Sequence, residues 1–167
     1  MNEAPKVTDI YALPDAFLDI WSARTRELLD SFHHATGGEL LSRSGDKIDE
    51  AHRLFAAPFV VVAHGAEADP ILNYANRAGL ALWEMPAATF IRTPSRLTAE
   101  PALRAAREKL LEETARKGFV SGYEGVRIGA SGRRFLIQDV TIWNVTDANG
   151  VETGQAATFA KWRFLDA

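Results

Sequence analysis

The sequence predicts an α+β fold: a five-stranded antiparallel sheet with helices on one face and an N-terminal helical extension. Three observations lead there. The last third, Gly118 to Leu165, reads as three strands joined by turns at Gly129-Ala-Ser-Gly132 and Asp147-Ala-Asn-Gly150. Phe59 to His64 and Ile71 to Ala75 are short apolar runs on either side of a Gly- and Pro-containing turn, the pattern of a hairpin. From Phe17 to Phe32, apolar residues recur at three- and four-residue steps, the period of an amphipathic helix.

In chain order, residues 1–12 read as a loose arm, and Pro14 sits where a first helical turn tolerates proline. Phe17, Leu18, Trp21, Leu28, Leu29 and Phe32 form one stripe, and Gly37-Gly38 ends that helix. A shorter helix follows from Asp46, with Ile48, Ala51, Leu54 and Phe55 on one side, and Pro58 closes it. After the hairpin, Asn76 is a natural N-cap for a helix running to Trp83. Residues 85–97 are broken by proline and hold short turns around Phe90. Ser95 or Thr98 can cap a longer helix with Pro101 in its first turn and the stripe Leu103, Ala106, Leu110, Leu111, Thr114. Gly118 ends it.

The long strand 133–145 is bulky on both faces: Phe135, Ile137, Asp139, Thr141 and Trp143 on one, Leu136, Gln138, Val140, Ile142 and Asn144 on the other. A sheet apolar on both sides needs cover on both. The middle helices cover one face, and the N-terminal helix or a second subunit covers the other. Residues 1–57 thus form an arm and helical extension packing on the sheet or on a dimer partner, and 58–167 form the sheet domain.

The totals exclude several function classes. At 167 residues, with 47% apolar and 25% charged residues and a net charge of −3, the chain has an ordinary globular balance. Residues 95–134 carry nine Lys/Arg against five Asp/Glu, a helix face rather than a nucleic-acid surface. The absence of cysteine removes disulfides, thiolate metal sites and thiol–cofactor adducts, and fits a cytoplasmic protein. No secretory leader and no apolar run long enough to cross a bilayer is present. His33 and His34 are adjacent on a helix and diverge by about a quarter-turn, and His52 and His64 lack partners at ligand spacing, so no metal site is expected. Gly129-x-x-Gly132 lies between strands and reads as a hairpin turn, not a nucleic-acid clamp.

The stretches Asp69-Pro-Ile-Leu-Asn-Tyr-Ala-Asn76, Leu82-Trp-Glu84, Pro94-Ser-Arg-Leu-Thr-Ala-Glu-Pro101, Gly122-Tyr-Glu-Gly-Val-Arg127, Gly132-Arg-Arg-Phe135, Trp143-Asn144 and Gly154-Gln-Ala-Ala157 resemble the MEKHLA domain family, a PAS-like group. The resemblance covers about two-thirds of the chain, from Phe59 onward, and is of the stand-alone bacterial type. The hexapeptide that names the family is missing, as are the homeodomain and zipper of its plant members, so a DNA-binding role does not carry over. The resemblance implies a sensory, ligand-binding or dimerisation module. PAS domains hold a ligand between the inner sheet face and the middle helices. Matching the Asp147 turn to its equivalent in flavin-binding PAS domains places Gln138 where those proteins set an amide toward the ligand. Gln138, Val140, Ile142 and Asn144 would then be the inner face, joined by Val126 and Ile128, with Trp83 and Phe90 opposite. A non-covalent flavin or other aromatic small molecule is the implied cofactor class, without the cysteine chemistry of light sensors.

Read from the residues, Gln138 and Asn144 could recognise a ring edge or a carboxylate, or be satisfied by nearby backbone. Trp83, Phe90, Tyr123, Trp143 and Trp162 could stack on a flat ligand or form core. Asp139 either has a raised pKa and a catalytic use or pairs with Arg24 or Arg127. Three functions follow. The first is a PAS-like small-molecule sensor, homodimeric through its N-terminal helix and without an attached output domain. The second is an isomerase- or lyase-like enzyme using His64, Asp139 and Tyr123 as acid–base groups. The third is a pure dimerisation or interaction module.

Overall fold

The computed structural model describes residues 10–165, so most of the expected N-terminal arm lies outside it. Helix α1 (Leu18–Thr36) buries Trp21, Thr25, Leu28 and Leu29 along one stripe and stops at Gly37, whose left-handed φ of 76° lets its N–H reach the His33 carbonyl at 2.8 Å. Helix α2 (Lys47–Ala56) starts at Asp46, whose carboxylate accepts from the Ile48 and Asp49 N–H groups. Ile48, expected on the buried side, is exposed.

Strands β1 (Val60–Gly65) and β2 (Leu72–Ala75) form the expected antiparallel hairpin. Three helices follow: α3 (Arg77–Trp83), the single turn α4 (Ala87–Phe90) and α5 (Arg104–Lys117). α5 starts later than its sequence suggests. Two short 3-10 turns, Ser95–Thr98 and Pro101–Leu103, occupy the stretch before it, no side chain caps it, and Ala106 faces solvent. The rest of the chain is β3 (Phe119–Ile128), β4 (Arg134–Thr146), β5 (Glu152–Phe159) and β6 (Lys161–Phe164). Both turns form as read. Gly132 N–H bonds the Gly129 carbonyl, and Asp147 accepts from Asn149 and Val151 N–H at the next.

The sheet is antiparallel, in the order β2-β1-β5-β4-β3, and β6 also pairs with β4. It has six strands instead of five because the last ribbon is interrupted at Ala160. β6 carries on the β5 register, as the pairs Thr141 with Thr158 and Gln138 with Lys161 show. The hairpin docks along β5, from Val60 opposite Phe159 to Gly65 opposite Gly154. At that end a Cβ on Gly154 would collide with the His64 carbonyl. Helices α3 to α5 cover one face. α1 of the same chain covers the other: the Trp143 indole N–H donates to the Ser31 hydroxyl at 3.0 Å, and Phe32 meets the Trp143 ring edge-on at 5.0 Å.

One residue resets the faces of β4. Asp139 has φ 53°, the left-handed region, in the middle of the strand. Side-chain alternation breaks there, so Phe135 and Ile137 lie on the same face as Val140 and Ile142. The neighbouring ribbon makes the same adjustment at Ala160, and Phe159 and Trp162, three residues apart, meet edge-on at 6.0 Å. The two-face assignment expected from strict alternation is therefore correct only after Asp139. Asp is among the few non-glycine residues that adopt this conformation readily. We expect Asp139→Val to cost about 2 kcal/mol in urea unfolding and Asp139→Gly to stay within about 0.5 kcal/mol of wild type. Equal losses for the two would contradict a conformational role.

Candidate functional site

A cavity of about 60 Å³ lies between the inner sheet face and helices α3 to α5. Its apolar wall combines Val62 and Leu72 of the hairpin, Trp83 of α3, Phe90 of α4, and Ile137, Val140, Ile142 and Phe159 of the sheet. These residues converge because β1 pairs with β5 and the Asp139 bulge turns Ile137 inward. Trp83 is held edge-on by Phe135 at 5.1 Å and by Phe159 at 6.3 Å.

The polar wall comes from β3, α5, β1 and β5. Tyr123 is paired with Val140, Gly125 with Ile137 and Arg127 with Phe135, so these three β3 residues share the inner face. Gly125 leaves room for the Tyr123 ring, since a Cβ there would collide with its hydroxyl. Arg127 is 8% exposed; it donates to its neighbouring Val126 carbonyl at 2.9 Å and lies 5.6 Å from the centre of the Tyr123 ring. Arg107, from α5, donates to the Ser95 hydroxyl at 2.6 Å and lines the same cavity. Its pKa is pulled down to about 10, first by burial and then by the Arg127 charge. Among the described residues neither arginine forms an ion pair.

His64 ends β1 at the mouth of the cavity. Its Nδ1 is 2.9 Å from the Gly65 carbonyl, an acceptor only, so Nδ1 carries the proton and Nε2 offers a lone pair. Nε2 is buried without a partner. Burial, the largest cause, lowers the His64 pKa, which keeps the ring neutral. The Trp83 indole N–H is also buried and unpartnered. A wider groove of about 450 Å³ adjoins the cavity, sharing His64, Arg107, Leu111 and Gln155 with it.

The residues singled out from sequence divide. Val140, Ile142, Trp83, Phe90, Tyr123 and His64 line the cavity. Asn144 lines the groove instead, and its amide donates to the Ala115 carbonyl at 3.2 Å and accepts from Gln155 at 3.2 Å. That ties the end of α5 to the sheet. Gln138 is not in the lining, because it precedes the Asp139 bulge and its parity is reversed. Val126 and Ile128 are absent too, since they alternate with Arg127 and take the opposite face. Asp139 is exposed on the outer groove beside Glu39 and Leu40, across the sheet from His64 and Tyr123, so the three cannot act as one acid–base group. It pairs with neither expected arginine: Arg24 bonds Glu27 at 3.0 Å, and Arg127 faces the cavity. Trp143 and Trp162 pack in the core cluster outside the cavity. Arg107, Arg127 and Gln155 also line the cavity, and none of them is among the site residues the sequence predicts. Tyr123, Gly125 and Arg127 stand two apart, and that parity was the available signal for Arg127.

The matching family model is the MEKHLA domain, over residues 22–164. The chain belongs to the MEKHLA domain family. Its match begins within α1 and runs through β6. Solved PAS domains share the fold of this MEKHLA chain. One, the PAS domain of a protein from Colwellia psychrerythraea, is 14% identical with a TM-score of 0.58 over 70% of this chain and 94% of that one. Another, a PAS domain from a two-component sensor histidine kinase, is 18% identical with a TM-score of 0.55 over 74% of this chain and all of that one. A light-oxygen-voltage domain studied with a flavin analogue is 14% identical with a TM-score of 0.54 over 71% and 85%. No curated protein matches the sequence.

A flavin does not fit this MEKHLA cavity. Ligand sites for molecules of that size span several hundred Å³, whereas this one, lined by Trp83, Phe90 and Phe159 among others, has about 60 Å³. Among the described residues no cluster of three or more His, Asp or Glu could hold a metal ion, and no helix is long and apolar enough to cross a membrane.

Proposed function

We propose that this MEKHLA domain is a sensory module that binds a small molecule in the cavity between the inner sheet face and helices α3 to α5. The occupied state is passed on by protein contact. The observation that carries this reading is a mostly apolar cavity whose polar wall holds Arg127, buried with no carboxylate partner among the described residues, and the Nε2 of His64, buried with no hydrogen-bond partner. Groups left so in an ordinary core are costly, and a ligand relieves the cost. Sensing suits the architecture, because α5 closes over the groove and is tied to β4 and β5 by Asn144 and Gln155. A ligand between them would act on those ties. Homodimerisation through the N-terminal helix would use its outer side, where Ile20 is exposed, since Trp21, Leu28 and Leu29 pack on the chain's own core.

The test is a thermal-shift panel of small acids, alcohols and aromatic compounds on wild type and on Ala157→Leu, which fills the cavity from β5. At least one compound is expected to raise the wild-type Tm by a few degrees at saturating concentration while leaving the variant unmoved. Equal shifts in both proteins, or none in wild type, would refute a ligand site in this cavity.

A further inference from the structure

Building on that reading of the cavity, we infer that its ligand is a small monocarboxylate bearing a hydroxyl group, with the carboxylate held by Arg107 and Arg127 and the hydroxyl donated to Nε2 of His64. Arg107 and Arg127 line one small cavity from different elements, α5 and β3, near enough for the charge of one to act on the other. Among the described residues no carboxylate pairs with either. Two like charges gathered in a partly desolvated site oppose each other, and an anion between them offsets both the repulsion and the lost hydration. Arginine forks match the planar, two-oxygen geometry of a carboxylate.

The rest of the wall narrows the choice. Val62, Leu72, Phe90, Val140 and Ile142 favour an acid with an apolar body over a strongly hydrated inorganic anion. The cavity has room for about four to six water-sized groups, which calls for a small acid. His64 cannot serve the carboxylate, because its free nitrogen is an acceptor, so it calls for an O–H donor on the same ligand. A hydroxyl beside the acid group answers all three demands. The adjoining groove shares His64, Arg107, Leu111 and Gln155 with the cavity.

Calorimetric titration with lactate, propionate, lactamide, toluene and inorganic phosphate distinguishes the possibilities. Lactate should bind wild type, propionate about tenfold more weakly, and lactamide and phosphate not measurably. Arg107→Gln keeps a donor for Ser95, so it should weaken lactate at least tenfold. It should also raise the Tm of the ligand-free protein, since it removes the charge opposing Arg127. A purely structural Arg107 would lower that Tm. His64→Leu should erase the preference of lactate over propionate. Toluene or lactamide binding as tightly as lactate would overturn the anion assignment while sparing the cavity as a ligand site. Tighter phosphate binding would overturn the carboxylate, and lactate affinity unchanged in Arg107→Gln would overturn the arginine role. If nothing binds, toluene included, the cavity reading falls with it.

Discussion

Asn76→Asp is expected to lower the unfolding free energy by about 3 kcal/mol or more, although it changes one atom. Asn76 is fully buried between the hairpin and α3 and makes four hydrogen bonds. Its Oδ1 accepts from Val61 N–H at 3.1 Å and Gly79 N–H at 3.2 Å, and its amide donates to the carbonyls of Leu54 at 3.2 Å and Phe59 at 2.7 Å. One side chain thus caps α3, fixes the start of β1 and ties down the end of α2. A carboxylate keeps the acceptor half but turns one lone-pair oxygen on two buried carbonyls, so it must either be repelled or take up a proton. Asn76→Ala loses all four bonds and should fall by a similar amount. Urea unfolding at neutral pH measures both. A loss below about 1 kcal/mol for Asn76→Asp would mean that the amide donors contribute little.

Removing the buried carboxylate of Glu50 is the second large effect. Glu50 is 1% exposed on α2; it takes Arg43 through two bonds of 2.8 and 3.3 Å and accepts from the Ser44 N–H at 3.1 Å. Arg43 reaches on to Asp30 of α1 at 2.7 Å, so the group staples the loop between the two helices. Glu50→Leu should cost about 3 kcal/mol, because it removes the buried partner of Arg43 and leaves the Ser44 N–H without its acceptor. Hydrogen bonding from Arg43, the largest cause, holds the Glu50 carboxyl below its ordinary value of 4.5. A carboxyl whose pKa is depressed by folding contributes stability that is fully present above the unfolded value. That contribution is lost as pH falls through the folded one. Wild type should therefore lose stability on acidification below about pH 4.5 more steeply than Glu50→Gln. Parallel acid limbs for the two proteins would contradict the pairing.

Much of this architecture was written in local pattern. The apolar stripe of α1, the hairpin, the Asn76 cap, both glycine-marked turns and the three-strand order each rest on interactions within a few residues of one another. The docking of β1 on β5 was not legible, because it joins segments about ninety residues apart with no periodicity to announce it. The candidate site was half legible for a similar reason. Val140 and Ile142 follow the bulge and were placed on the correct face, while Gln138 precedes it and was not. Alternation is a rule about a regular strand, and a left-handed Asp139 suspends it without leaving a glycine as a marker. The arginines were missed because charge in a strand reads as a solvated edge until the partner strand shows which way it faces.

The central claim is that the inner face of the sheet, beneath α3 to α5, is the ligand site. Methyl-resolved NMR tests it most directly, with lactate and toluene titrated separately so that the cavity is probed whatever the charge of its ligand. Saturable shifts should appear at Val62, Leu111, Val140 and Ile142 with at least one of the two, while Leu28 and Leu29 of α1, on the other face of the sheet, stay still. Shifts confined to the α1 side, or none with either probe, would contradict it.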